Sequence, residues 1–225
     1  MPLSDRDYMR STPPPRRRTW RFDTSGGFSL NPIWAIIIAN LILLIAVLLS
    51  GEERYPFGDF YVIVSDRFTY YLGFIPYYFF ERPWTIVTNL FIHAGFWHLF
   101  GNMITLYFFG TFLSRLVGQN KVLLLYFIGG ILGNVIYLLL GDSLSVAIGA
   151  SGAVYAIAGA LVVLMPNMRV SLWFIIPMPL WVVVLVFFVI FSFIPGIAWQ
   201  VHLGGLAAGL AFGFFFRKKT RFVYY

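Results

Sequence analysis

The sequence predicts an all-α polytopic membrane protein, a bundle of six membrane-spanning helices with both termini in the cytoplasm. Three observations carry that fold class. Of the 225 residues, 60% are hydrophobic and only 11% charged, against roughly a quarter charged in a soluble domain. Six stretches approach the ~20 mostly apolar residues that a helix needs to cross the hydrocarbon core. Read as crossings, those stretches also sort the basic residues to one side. Thirteen of the sixteen lie on the side shared by the termini: Arg6, Arg10, Arg16, Arg17, Arg18, Arg21, Arg115, Lys121, Arg169, Arg217, Lys218, Lys219 and Arg221. Glu52, Glu53, Asp59, Asp66, Glu81 and Asp142 lie on the other. Basic flanks stay in the cytoplasm, which orients the chain. A five- or seven-span arrangement would separate Arg16–Arg18 from Arg217–Lys219 by the membrane.

Residues 1–31 read as a flexible basic cytoplasmic tail, with a PPP run, an SGG step and no helical periodicity. No cleavable signal peptide is visible, because the first apolar run follows a polar arm and is long enough to span. The membrane domain covers 32–216, with spans at 32–50, 96–116, 122–140, 147–165, 178–194 and 198–216. Residues 217–225 form a short basic cytoplasmic tail. Between the first two spans, 51–95 is a long outer loop. Thirteen of the thirty residues from Tyr55 to Trp84 are aromatic, and Pro56, Pro76 and Pro83 interrupt any long helix. Tyr and Trp favour the headgroup layer, so this loop is expected to lie partly in the outer interface. The net charge of +7 is accounted for by span flanks, and no nucleic-acid partner is expected. With no cysteine, disulfides, thiolate metal sites and a thiol nucleophile are excluded.

Four polar side chains from three of the spans share one depth. Ser151 comes four residues after the predicted outer end of span 4, and His202 four after that of span 6, so each lies roughly 6 Å below its helix end. His98 and Asn102, four apart, stack on one face of the outer part of span 2. Serine and histidine at matched depth supply a nucleophile and a base. No acidic residue lies in any span, and Asp142 is in the loop before span 4. A dyad of Ser151 and His202 is therefore more economical than a triad. The oxyanion formed at an attacked amide needs donors: the Asn102 amide, a His98 N–H, and backbone N–H groups around Gly152. Gly205 and Gly209 share the side of His202, while Gly149, Gly152, Ala156 and Ala160 form a small-residue surface on span 4. Such surfaces let membrane helices approach closely. Tyr155, one turn below Ser151, is placed to buttress the imidazole.

These residues resemble the rhomboid family of intramembrane serine proteases. Gly149-Ala150-Ser151-Gly152, followed by Tyr155 and Gly159, is similar to the family's GxSG nucleophile segment. HAGFWHLFGN, with His93, His98 and Asn102, is similar to the HxxxxHxxxN pattern of its second span. HLGGLAAG, from His202 to Gly209, is similar to its last span. The likeness runs from about Arg82 to Phe216, in order and on the predicted helices. It implies Ser151 as nucleophile, His202 as general base, His98 and Asn102 as oxyanion-hole donors, Tyr155 packed on His202, and His93 supporting the loop. It further implies hydrolysis of a peptide bond in or next to a substrate's transmembrane helix, near its outer end. Span 5 and the loop FSFIPGIAW, with Pro195 and Gly196, would form a lateral gate and cap. The implied partners are transmembrane protein substrates and the lipid bilayer, with no cofactor and no metal. One departure stands out: many members carry Trp-Arg in the first loop, whereas here Trp84 is followed by Thr85, and that arginine's role is not transferred to Arg82.

The alternative within the family is a catalytically inactive client-binding protein, which would be expected to lack the nucleophile or the base. A haem bundle ligated by His98 and His202 would leave Ser151 and Gly152 unexplained. An ion-coupled transporter would want acidic or lysine residues inside the spans, and a zinc protease would want HExxH. Short tails and the lack of a transit segment point to a prokaryotic cell membrane.

Overall fold

The computed structural model describes residues 31–51, 53–57, 60–64, 66–172, 176–192 and 194–219. The tail 1–30, the end of the second tail at 220–225, and Phe193 in the expected cap loop lie outside the described residues.

Helix α1 (Pro32–Ser50) begins where Asn31 accepts a hydrogen bond from the Ile33 N–H at 3.0 Å and Pro32 occupies the first turn. It is apolar all round. Ile33, Ile36, Asn40 and Leu44 form its buried stripe, while Ile38, Leu41, Ile42, Ile45 and Leu49 face outward. A helix with apolar residues on its unpacked face needs an apolar solvent, and lipid supplies one.

The loop 51–95 is more ordered than its proline content suggests. Strands β1 (Glu53–Phe57) and β2 (Phe60–Val64) pair antiparallel, Glu53 opposite Val64. Helix α2 (Arg67–Leu72) is capped by buried Asp66, which accepts from the Thr69 N–H and hydroxyl. Short turns at Pro76–Tyr78 and Asn89–Phe91 flank α3 (Thr85–Thr88). Arg82 anchors the loop. Its guanidinium is buried against the Tyr70 and Tyr78 rings, 4.4 and 4.1 Å from their centroids, and donates to the Tyr70 carbonyl. Trp84 adds an indole N–H bond to the Tyr71 carbonyl at 3.0 Å. The anchor thus comes from the arginine two residues before Trp84, with Thr85 donating to the Arg82 carbonyl at 2.7 Å.

Helix α4 (Phe96–Thr105), a π-helical stretch Leu106–Gly110 and α5 (Thr111–Val117) make one continuous path close to the predicted second span. Gly118, at φ +95°, turns the chain directly into α6 (Gln119–Leu140), which therefore starts three residues before its predicted bound.

The predicted fourth span is where the structure departs from the sequence reading. Helix α7 (Ser151–Leu164) starts at Ser151, not at 147. Residues before it are extended: Ala147 bridges Phe74 with two backbone hydrogen bonds of 3.0 and 2.8 Å, and Gly149 sits at φ +111°. That conformation is incompatible with a helix and open to glycine. A β-hairpin of β3 (Arg169–Leu172) and β4 (Ile176–Pro179) follows, ahead of α8 (Leu180–Ser192) and α9 (Trp199–Lys219).

Helices α6, α7 and α9 form the core. Only Ser151 and Val162 of α7 escape full burial. Small residues make that burial possible. A Cβ added at Gly205 would lie 2.0 Å from the Gly152 carbonyl oxygen, one at Gly209 2.0 Å from that of Ala156, and one at Gly129 2.2 Å from the Ala156 Cβ. The backbones touch where side chains would otherwise stand. Helices α1, α6 and α9 are long and apolar enough to cross a membrane. Helix α7, with 14 residues, spans only ~21 Å, and being enclosed by protein it needs no lipid-matched length.

Candidate active site

Ser151 occupies the first position of α7, and His202 is the fourth residue of α9. The close crossing at Gly152 and Gly205 brings them together: Ser151 Oγ lies 2.8 Å from His202 Nε2. His202 is only 6% exposed. Tyr155, one turn below the serine, stacks on the imidazole with ring centroids 4.6 Å apart and planes 28° from parallel. His202 Nδ1 has no hydrogen-bond partner among the described residues. Asp142 is exposed and accepts instead from the Leu144 N–H and the Ser145 hydroxyl. Among the described residues the stacked ring, not a carboxylate, therefore orients the imidazole. For Nε2 to take the serine proton, the ring must carry its hydrogen on Nδ1.

The start of α7 contributes further. The first N–H groups of any helix lack intrahelical partners and carry the positive end of its dipole. Here the Val154 N–H closes the first turn on the Ala150 carbonyl at 3.0 Å, so the N–H groups of Ser151 and Gly152 precede the ladder. Placing Ser151 in mid-helix would have spent those donors on the ladder. The departure from the predicted span thus matters chemically.

His98 and Asn102 lie one turn apart on α4. His98 Nδ1 accepts from the Ala94 N–H at 3.4 Å, leaving Nε2 as the protonated nitrogen, and Nε2 faces Gly149 closely enough that a Cβ there would sit 2.7 Å away. Asn102 is buried and donates to the His98 carbonyl at 2.9 Å, which leaves its second amide hydrogen uncommitted by that bond. His93 packs edge-on against His98 at 4.9 Å, and its Nε2 accepts from the Ala150 N–H at 3.4 Å. It therefore touches the segment that carries the serine. Gly149 and Gly152 leave room for the His98 ring and for Val201 of α9, respectively. Among the described residues there is no cluster of metal-ligating side chains.

Sequence reasoning passed over Asn89 and Asn134, both buried and paired to each other. A signal existed for Asn134, since an amide in the middle of an apolar span needs a partner.

Fold and site define a helical membrane protein in which a serine at a helix start and a histidine on a neighbouring helix share a partly buried hydrogen bond. Comparison with known proteins gives the family. The rhomboid domain matches residues 81–219, and the chain belongs to the rhomboid family, whose members are generally intramembrane serine proteases. Rhomboid protein 1, mitochondrial, of Saccharomyces cerevisiae is 30% identical over 161 residues, covering 60% of this chain and 42% of the yeast protein. The rhomboid protein YdcA of Bacillus subtilis is 33% identical over 142 residues, 61% of this chain and 70% of YdcA. Rhomboid-like protease 3 of Toxoplasma gondii is 27% identical over 211 residues, 90% and 76% of the two chains. The match spans less than half of the yeast relative. This chain is an integral membrane protein.

Proposed function

We propose that this protein is an intramembrane serine endopeptidase that cleaves transmembrane substrates with a dyad of Ser151 and His202. The observation that carries the reading is the 2.8 Å contact between Ser151 Oγ and His202 Nε2. Ser151 attacks the scissile carbonyl carbon while His202 Nε2 takes its proton. The developing oxyanion is met by the N–H groups at the start of α7, including Gly152, by His98 Nε2–H and by the Asn102 amide. The protonated imidazole then gives its proton to the leaving amine, and water hydrolyses the acyl-enzyme by the reverse sequence. Tyr155 holds the imidazole, while His93 and Gly149 hold the loop.

In this reading six crossings are made by α1, the path from α4 through α5, α6, α7, α8 and α9, with both termini cytoplasmic, the membrane domain at 32–216 and basic tails on either side. The shortness of α7 sets the depth of the chemistry: ~21 Å of helix in a core ~30 Å thick leaves Ser151 below the outer surface. A substrate helix, locally unwound near its outer end, would reach Ser151 past α8, which among the described residues packs only lightly on α7 and α9. The relatives are mitochondrial, plant and bacterial, and the prokaryotic cell membrane remains part of the proposal.

The test is labelling of the reconstituted protein by a fluorophosphonate, alongside cleavage of a helical substrate. We expect labelling of the wild type that Ser151→Ala abolishes, and cleavage that His202→Ala abolishes. Equal labelling of wild type and Ser151→Ala would overturn the reading in favour of non-catalytic client binding.

A further inference from the structure

The proposed chemistry leaves a buried amide pair without a task. Asn89, opening the turn after α3, is 1% exposed, and Asn134, in mid-α6, is fully buried. Asn89 Nδ2 donates to Asn134 Oδ1 at 3.0 Å, and Asn134 Nδ2 returns a bond to Asn89 Oδ1 at 2.8 Å. Each amide also holds backbone. Asn134 Nδ2 donates to the Ile86 carbonyl at 2.8 Å, fixing α3, and Asn89 Nδ2 donates to the Ala147 carbonyl at 3.3 Å. The Asn89 carbonyl in turn accepts from the Gly149 N–H at 2.9 Å.

The last two bonds fall on the extended segment that leads into Ser151. That segment has no helical ladder of its own, so its place is set by tertiary hydrogen bonds. Asn89 grips it at Ala147 and again at Gly149, two residues before the serine, and Asn134 ties Asn89 to a core helix. The backbone ladder of α6 closes without the Asn134 side chain, so the amide is not needed to make that helix. A fully satisfied polar network in a low-dielectric interior fixes one arrangement over its alternatives.

We propose that Asn89 and Asn134 are positioning residues that set the Ser151 hydroxyl against His202 by clamping the segment 147–149 to α6. The inference rests on the reading of Ser151 as nucleophile. Misplacing a reacting group by about 1 Å costs on the order of 10²-fold in rate, so a loosened segment should lower kcat while substrate binding persists.

The experiment uses the full chain in lipid nanodiscs and the variant Asn89→Leu/Asn134→Leu, which removes both polar partners together and leaves neither amide orphaned. Three quantities are read: thermal midpoint, hydrogen exchange at 146–150, and kcat and KM for a helical substrate. We expect a midpoint near wild type, exchange at Gly149 faster by about tenfold or more with α7 and α9 unchanged, kcat lower by about tenfold or more, and KM within about twofold. If the double variant does not fold, Asn134→Asp, which keeps size but exchanges the amide donor for a carboxyl, is expected to change the same quantities in the same directions. Unchanged exchange at Gly149, or faster exchange with wild-type kcat, overturns the positioning role while leaving the nucleophile intact. Wild-type cleavage that survives Ser151→Ala overturns the nucleophile, and the clamp's role with it.

Discussion

Replacing Gly205 with alanine probes the crossing on which the site is built. The new methyl carbon would lie 2.0 Å from the Gly152 carbonyl oxygen and 2.9 Å from the Gly152 Cα. These are backbone atoms of the central helix, so no side-chain rotation relieves the overlap. Ordinary contact begins near 3.4 Å, and α7 and α9 must therefore part by more than ~1 Å at that point. Gly152 adjoins Ser151, and His202 lies one turn from Gly205 on the same helix. Most of the displacement is thus felt at the 2.8 Å contact, stretching it toward ~4 Å, where no hydrogen bond survives. Overpacking of this kind costs ~1–3 kcal/mol of stability, and a misplacement of about 1 Å costs on the order of 10²-fold in rate. The assay is kcat on a reconstituted helical substrate, with the thermal midpoint measured in parallel. Gly101→Ala is the control, because a Cβ there meets nothing within 4 Å. A Gly205→Ala protein with kcat within about threefold of wild type and an unchanged midpoint would refute the argument.

Two further perturbations separate the loops from the helices. Gly149→Ala puts a side chain at φ +111° with its Cβ 2.7 Å from His98 Nε2. We expect ~1–3 kcal/mol of strain and fluorophosphonate labelling slower by about tenfold or more, and labelling at the wild-type rate would count against the tight approach of His98 to this segment. Arg82→Met removes a guanidinium held against two tyrosine rings and bonded to the Tyr70 carbonyl. Stability should fall by about 2 kcal/mol, seen as a lower thermal midpoint, and a midpoint equal to wild type would show that the loop 51–95 is anchored elsewhere.

How much of this was legible depends on which physical signal each feature leaves in the chain. A lipid-facing helix such as α1 is apolar all round, and that is a property of its own residues, so its bounds of 32–50 were read directly. The small-residue spacing of Gly205 and Gly209 likewise announced a close crossing, and Ser151, His202, His98 and Asn102 stood out as polar groups in apolar runs. The start of α7 left no such mark. Residues 147–150 are as apolar as the helix they precede, and hydropathy cannot distinguish a buried extended segment from a buried helical turn. Its pairing with Phe74 and its grip by Asn89 come from residues roughly sixty to seventy positions earlier.

The sequence by itself therefore determined the membrane class, the apolar helices and the polar side chains available for chemistry, because each follows from local composition and spacing. Only the tertiary structure decided that Ser151 begins its helix, that the segment before it is extended and held by Phe74 and Asn89, and that Arg82 anchors the loop 51–95. The reason is physical: those outcomes depend on contacts between segments far apart in the chain, where hydrogen-bonding groups excluded from water take whichever partner the packed helices bring within reach.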